Sequence, residues 1–150
     1  MRWPRPTRNA LAFALACALL CACNDGYDSN LGPPPQPADD LAVCLAHLHH
    51  TSHVESITDG TVTRVLGVHP GKRAQHKGFA LRVASLCKIS VFVETAMDLA
   101  GTLKAHPHAL ITVKGEYEYT PQGGVIRWTY TDPAYHHVPG WINIAGRTYR

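Results

Sequence analysis

The chain has 150 residues, with 14 Lys+Arg against 11 Asp+Glu. That length allows one domain with a modest core. Arg2, Arg5 and Arg8 precede an apolar run at 10–22, and without them the balance is 11 against 11. The charge therefore gives no support for bulk polyanion binding, which needs many cationic contacts.

The N-terminal arginines and the apolar run have the layout of a secretory signal, and the run is shorter than the about 20 residues of a membrane span. The run ends in Leu20-Cys21-Ala22-Cys23, which resembles a bacterial lipobox. Cys17 and Cys21 have poorer flanks. This predicts a signal peptide at 1–22 and a mature N-terminus at Cys23, lipidated on its thiol. The protein is then expected in the bacterial cell envelope, exported and lipid-anchored on the periplasmic face of a membrane. A plain cleaved signal is the alternative. Residues 24–40, NDGYDSNLGPPPQPADD, carry four prolines and two glycines and predict a tether. Fully polyproline-like, it would reach about 50 Å at about 3.1 Å per residue.

A single domain is expected over 41–150. Asp39 or Asp40 can cap a short helix by accepting backbone N–H bonds. Leu41, Cys44, Leu45 and Leu48 follow at helical spacing, predicting an apolar stripe that faces the core. The helix should fade near His53. After Cys23 only Cys44 and Cys87 remain, and two cysteines in an oxidising compartment suggest a disulfide. Two buried free thiols are the alternative, because spacing alone does not show that their Cβ atoms meet.

Five β-rich segments follow, at 60–68, 78–85, 89–94, 110–119 and 125–131. Residues 95–109 leave room for one short helix. The fold class is therefore mainly β (α+β), and five strands with a helix after the third match a five-stranded OB-like barrel. A small open sheet backed by helices is the alternative. Residues 133–150 form a tail whose Trp141, Ile142, Ile144 and Tyr149 should fold back onto the barrel. Lys72, Arg73, Lys77 and Arg82 lie close together and leave a local basic patch possible.

Strand alternation sorts the last hairpin. Ile111, Val113, Tyr117 and Tyr119 fall on one face, and Lys114, Glu116 and Glu118 on the other. In the next strand Ile126, Trp128 and Tyr130 share the core face, opposite Arg127, Thr129 and Thr131. A turn centred on Gln122-Gly123 sets Tyr117 opposite Trp128, Tyr119 opposite Ile126 and Glu118 opposite Arg127. Gly115 then faces Tyr130. A slip by one residue would put charges against aromatics.

GEYEYTPQGGVIRWTYTDP at 115–133, with His137 and Gly140-Trp141-Ile142, resembles the bacterial family called domain of unknown function 3465. The strand at 60–66, His76 with Phe79, and Met97-Asp98-Leu99-Ala100 agree with it. The resemblance covers roughly residues 40–150 and implies small secreted or lipid-anchored proteins with no established activity. The family pattern favours histidines where this chain has Glu94, Arg127, Tyr130 and Thr131, and an acidic pair near Val68 and His69. His76, Asp132 and His137 remain.

The ten histidines invite a metal reading. His49 and His53 are four apart, a spacing that can put two imidazoles on one helix face, as zinc sites use. Histidines at a helix C-terminus also interact well with its dipole. There is no HExxH motif and no CxxC pair in the mature chain. His76, Glu116, Glu118, Arg127, Asp132 and His137 are the candidate ligand-binding residues. The alternative is a solvated ion pair with exposed loop histidines. His76, Asp132 and His137 are also the candidates for acid/base work.

The leading expectation is a binding barrel without catalysis and with no required cofactor, although a divalent metal is possible. Its partners are the membrane, through the anchor, and a protein, envelope polymer or oligonucleotide. One rival is a metal-dependent, nuclease-like hydrolase using His76, Glu118, Asp132 and His137. Arg127 would repel a divalent cation placed next to Glu118, which counts against it. The other rival is a structural envelope lipoprotein.

Overall fold

The computed structural model describes residues 36–70, 75–84, 87–97 and 103–150. The signal, Cys23, the tether up to residue 35, Lys72, Arg73 and residues 98–102 of the segment expected to hold a helix lie outside the described residues. Among the described residues the protein is mainly β with one short helix. None of the described helices is long and apolar enough to cross a membrane.

Helix α1 spans Asp40–Leu48, and the side chain of its N-cap Asp39 accepts from the Ala42 N–H. The stripe expected to face the core does not. Leu41 and Leu48 are 62% and 69% exposed and Leu45 is also exposed, while Val43 and Ala46 are buried. Two anchors set this rotation. The Asp40 carboxylate accepts from the Asp59 N–H at 2.8 Å, and the Asp39 N–H donates to the Ile57 carbonyl at 2.7 Å. Cys44, beside Val43, is joined to Cys87 by a disulfide.

Strand β1 (Val54–Pro70) starts six residues before the expected strand. It is followed by β2 (Gln75–Val83), β3 (Ser90–Ala96), β4 (Leu110–Glu118) and β5 (Val125–Arg127). The first half of β1 pairs antiparallel with β4, and its second half pairs antiparallel with β2. Its two edges serve the two neighbours, and they overlap at Gly60, which is opposite both Val83 and Ile111. A Cβ there would lie 2.4 Å from the Arg82 carbonyl oxygen, so only glycine admits the approach. Register shifts further along β1 add curvature. β2 pairs with β3, β3 runs parallel to β5, and β5 pairs antiparallel with β4. The five strands close into a ring.

The tail adds two strands, β6 (Trp141–Ile144) and β7 (Arg147–Tyr149). They make a hairpin that extends the sheet beyond β4. Ile142 enters the core, with Ile144 and Tyr149 packed against it. One edge of β4 is thus shared, by β5 along Glu116–Glu118 and by β6 along Ile111–Lys114. Gly115 sits at the handover. A Cβ on it would meet the Arg127 carbonyl at 2.3 Å and Ile126 at 2.9 Å, so β5 covers this glycine and not Tyr130.

The faces of β4 are as alternation predicts: Ile111, Val113 and Tyr117 are buried, and Lys114, Glu116 and Glu118 face outward. The hairpin register differs by two residues from the expected one. Tyr117 is opposite Ile126, Glu116 opposite Arg127 and Glu118 opposite Val125. An even slip keeps every side chain on its own face, so alternation could not detect it. Beyond Arg127 the alternation fails. Trp128 has φ +57°, the left-handed region, and this turns its ring out to 38% exposure and Thr129 in. The Thr129 hydroxyl donates to the Glu94 carbonyl at 2.9 Å.

Candidate functional site

The ring places a row of charges on its outer face. Glu55 of β1 is opposite Glu116 of β4, which is opposite Arg127 of β5. Val93 pairs with Ile126, so Glu94 of β3 comes level with Arg127. The row Glu55–Glu116–Arg127–Glu94 therefore crosses four strands that are far apart in sequence.

Arg127 joins two carboxylates. Its Nη1 lies 3.1 Å from Glu118 Oε2, and its Nε lies 3.2 Å from Glu94 Oε2. The second contact is ionic and lacks the alignment of a hydrogen bond. The Glu118–Arg127 pair is thus formed diagonally across the ladder. Such pairs at half-exposed positions contribute at most about 1 kcal/mol.

At the other end of the row, His53 Nδ1 is 2.8 Å from Glu116 Oε1. The expected His49/His53 pair on one helix face is not formed. The helix stops at Leu48, His49 is its C-cap, and His50 and His53 both have positive φ. His53 instead leads into β1, level with Glu118 by the continued β1–β4 register. The hydrogen bond to Glu116, and then its charge, raise the His53 pKa. Partial burial, and then repulsion from Glu116, raise that of Glu55. His50 stacks on Tyr119 at 4.4 Å, and His47 Nδ1 lies 3.1 Å from the Tyr117 hydroxyl.

Asp132 and His137 belong to the loop after β5, but not to one another. Asp132 accepts from the Ala134 N–H at 2.8 Å and the His136 N–H at 3.1 Å, and its Oδ2 is 2.7 Å from His136 Nδ1. These bonds, that to the Ala134 N–H first, hold the Asp132 pKa down at about 2. The carboxylate therefore organises its own loop and is a poor base. His137 donates from Nδ1 to the Val138 carbonyl at 2.9 Å. Its ring is stacked on Trp128, with centroids 4.7 Å apart, and Tyr130 meets it edge-on at 5.0 Å. His137 Nε2 is buried without a hydrogen-bond partner.

His76 pairs with Ala96, two residues along from the Gly78–Glu94 pair, and shares the outer face with that row. The structure therefore brings Glu116, Glu118 and Arg127 together and puts His76 one step away on the same face. Asp132 and His137 lie on the adjoining loop. Sequence reasoning missed His53, Glu55 and Glu94 as neighbours of this set. Alternation in β3 does turn Glu94 away from buried Val91, Val93 and Thr95. Its partner strand, however, comes from the parallel β3–β5 contact, which leaves no local signal.

No curated protein and no solved structure matches the chain. Residues 28–150 match the family described as "Protein of unknown function (DUF3465)", and the chain belongs to that family.

Proposed function

We propose that this is a lipid-anchored protein of the bacterial envelope whose ring of strands is an OB-like barrel that binds an envelope glycan. The barrel reading is supported by the order β1-β2-β3-β5-β4 closing back on β1, with β3 and β5 the parallel pair. Barrels of this class bind oligonucleotides and oligosaccharides on the face of their second and third strands and on the loops between strands 1 and 2 and between strands 4 and 5. The observation that carries the ligand reading is Arg127, held between Glu94 and Glu118 next to half-exposed Trp128. Trp128 offers a stacking surface, and the carboxylates and guanidinium offer fixed hydrogen-bond partners for hydroxyl groups. Two carboxylates offset the one arginine, so a phosphodiester chain would meet repulsion here. The glycan therefore leads over an oligonucleotide.

Two measurements test this. Cys23→Ser is expected to move the protein from the membrane to the soluble fraction and abolish acyl labelling; unchanged fractionation would rule out the anchor. Soluble peptidoglycan fragments, titrated against tryptophan fluorescence, should bind the wild type. Trp128→Ala and Arg127→Ala should each weaken binding by about ten-fold or more, the equivalent of about 1.4 kcal/mol. A thymidine oligonucleotide that binds more tightly than the glycan would overturn the ligand assignment.

A further inference from the structure

We infer that His53, Glu116 and Glu118 form a binding site for a divalent cation of the zinc class on the outer face of the ring. One donor atom from each of the three lies within 4.8 Å of the others. The β1–β4 register produces this grouping. Glu55 is opposite Glu116, and the next outward level holds His53 and Glu118. Glu55, Glu116 and Glu118 thus stand outward on two adjacent strands, with His53 at the bend that leads into β1. Glu116 and Glu118 are borne by β4, and strand-borne ligands are held more precisely than loop-borne ones.

The charge balance favours a cation. Two carboxylates, Glu55 and Glu116, are directly opposite, an arrangement that is destabilising by itself. Arg127 bears on Glu118 and by itself would repel a metal there, but Glu94 also draws on its charge. The guanidinium is shared between Glu94 and Glu118 and engages Glu118 through Oε2. The surroundings therefore hold four carboxylates (Glu55, Glu94, Glu116, Glu118) against Arg127 and Lys114, with His137 also bearing on Glu55.

The donor set selects the metal class. One imidazole nitrogen with carboxylate oxygens suits zinc, which takes nitrogen at about 2.0–2.1 Å and carboxylate oxygen at about 2.0–2.2 Å. Magnesium and calcium prefer oxygen throughout. Among the described residues the site has no thiolate, so it lacks the ligand that would select a soft ion. Protein ligands number three, and side-chain exposure of 77% at His53 leaves the site open to water. The site does not depend on the glycan reading.

The test uses the purified full chain, stripped of metal with EDTA and titrated with zinc alone by calorimetry, with bound zinc counted after dialysis. Wild type should take up one equivalent at micromolar free metal, and zinc should shift the His53 ring resonances. His53→Ala and the near-isosteric Glu118→Gln should each weaken uptake by about ten-fold or more. His136→Ala, which removes an exposed histidine held by Asp132, should leave uptake unchanged. Melting curves in EDTA identify any variant that fails to fold. The wild-type stoichiometry and the His53 shift decide the question without the variants. Failure to bind one equivalent overturns the site, as does equal binding by wild type, His53→Ala and Glu118→Gln. Glycan binding that persists in EDTA, or fails in its presence and absence alike, bears on the other proposal and not on this one.

Discussion

The Cys44→Ser/Cys87→Ser double variant is expected to melt about 15 °C below the wild type, a loss of about 4 kcal/mol. The bond spans 43 residues of sequence, from α1 to the segment before β3. In the loop-entropy argument the stabilisation comes mostly from the unfolded chain, which loses conformations when it is cross-linked. The native side adds to the dependence on this bond. The helix buries only Val43 and Ala46 and leaves three leucines exposed, so its apolar contact with the strands is thin. Its other ties are a few hydrogen bonds, including Asp40 to Asp59 and His47 to Tyr117. Reduction of the wild type should reproduce the shift. A melting temperature that moves by less than a few degrees in both would show that the cross-link does not contribute as argued.

Tyr117→Ala should cost about 3–5 kcal/mol, the range for removing a large buried aromatic side chain. Tyr117 is fully buried and is among the largest side chains enclosed by the ring. It lies between Val54 of β1 and Ile126 of β5, so its ring supports both edges of β4. Its hydroxyl donates to the Gly123 carbonyl at 3.1 Å and is 3.1 Å from His47 Nδ1, linking the β4–β5 turn to the helix. Burial pushes its pKa up to about 12, so the hydroxyl keeps its proton at any ordinary working pH. Tyr117→Phe keeps the ring and loses only the polar contacts, so about 1 kcal/mol is expected. Denaturant unfolding of the three proteins separates the two contributions. If the phenylalanine variant loses as much as the alanine variant, the hydroxyl links dominate and the packing argument is wrong.

The two arguments draw differently on what the sequence reveals. Alternation in 110–119 identified the buried face of β4, because a period of two is a local property that survives any even shift of register. For the same reason it could not choose between Trp128 and Ile126 as the partner of Tyr117. The five β segments, an acidic cap at Asp39 or Asp40 and the return of the tail were legible, since each depends on local composition or short-range bonding. The face of α1 was not. Leu41, Leu45 and Leu48 make the longer stripe, but the bonds of Asp40 to Asp59 and of Asp39 to Ile57 turn Val43 inward. Both partners come from another element, and neither is visible in a helical window. The same holds for the outer face. Sequence proximity grouped His53 with His49, whereas a left-handed backbone at His53 and the pairing of β1 with β4 put it beside Glu116 and Glu118. Glu94 reached Arg127 only through the parallel β3–β5 contact, more than thirty residues away along the chain. The sequence by itself determined which side chains of β4 could face outward. Closure of the ring decided which of them meet, because contacts between distant strands are set by register and curvature and not by local periodicity.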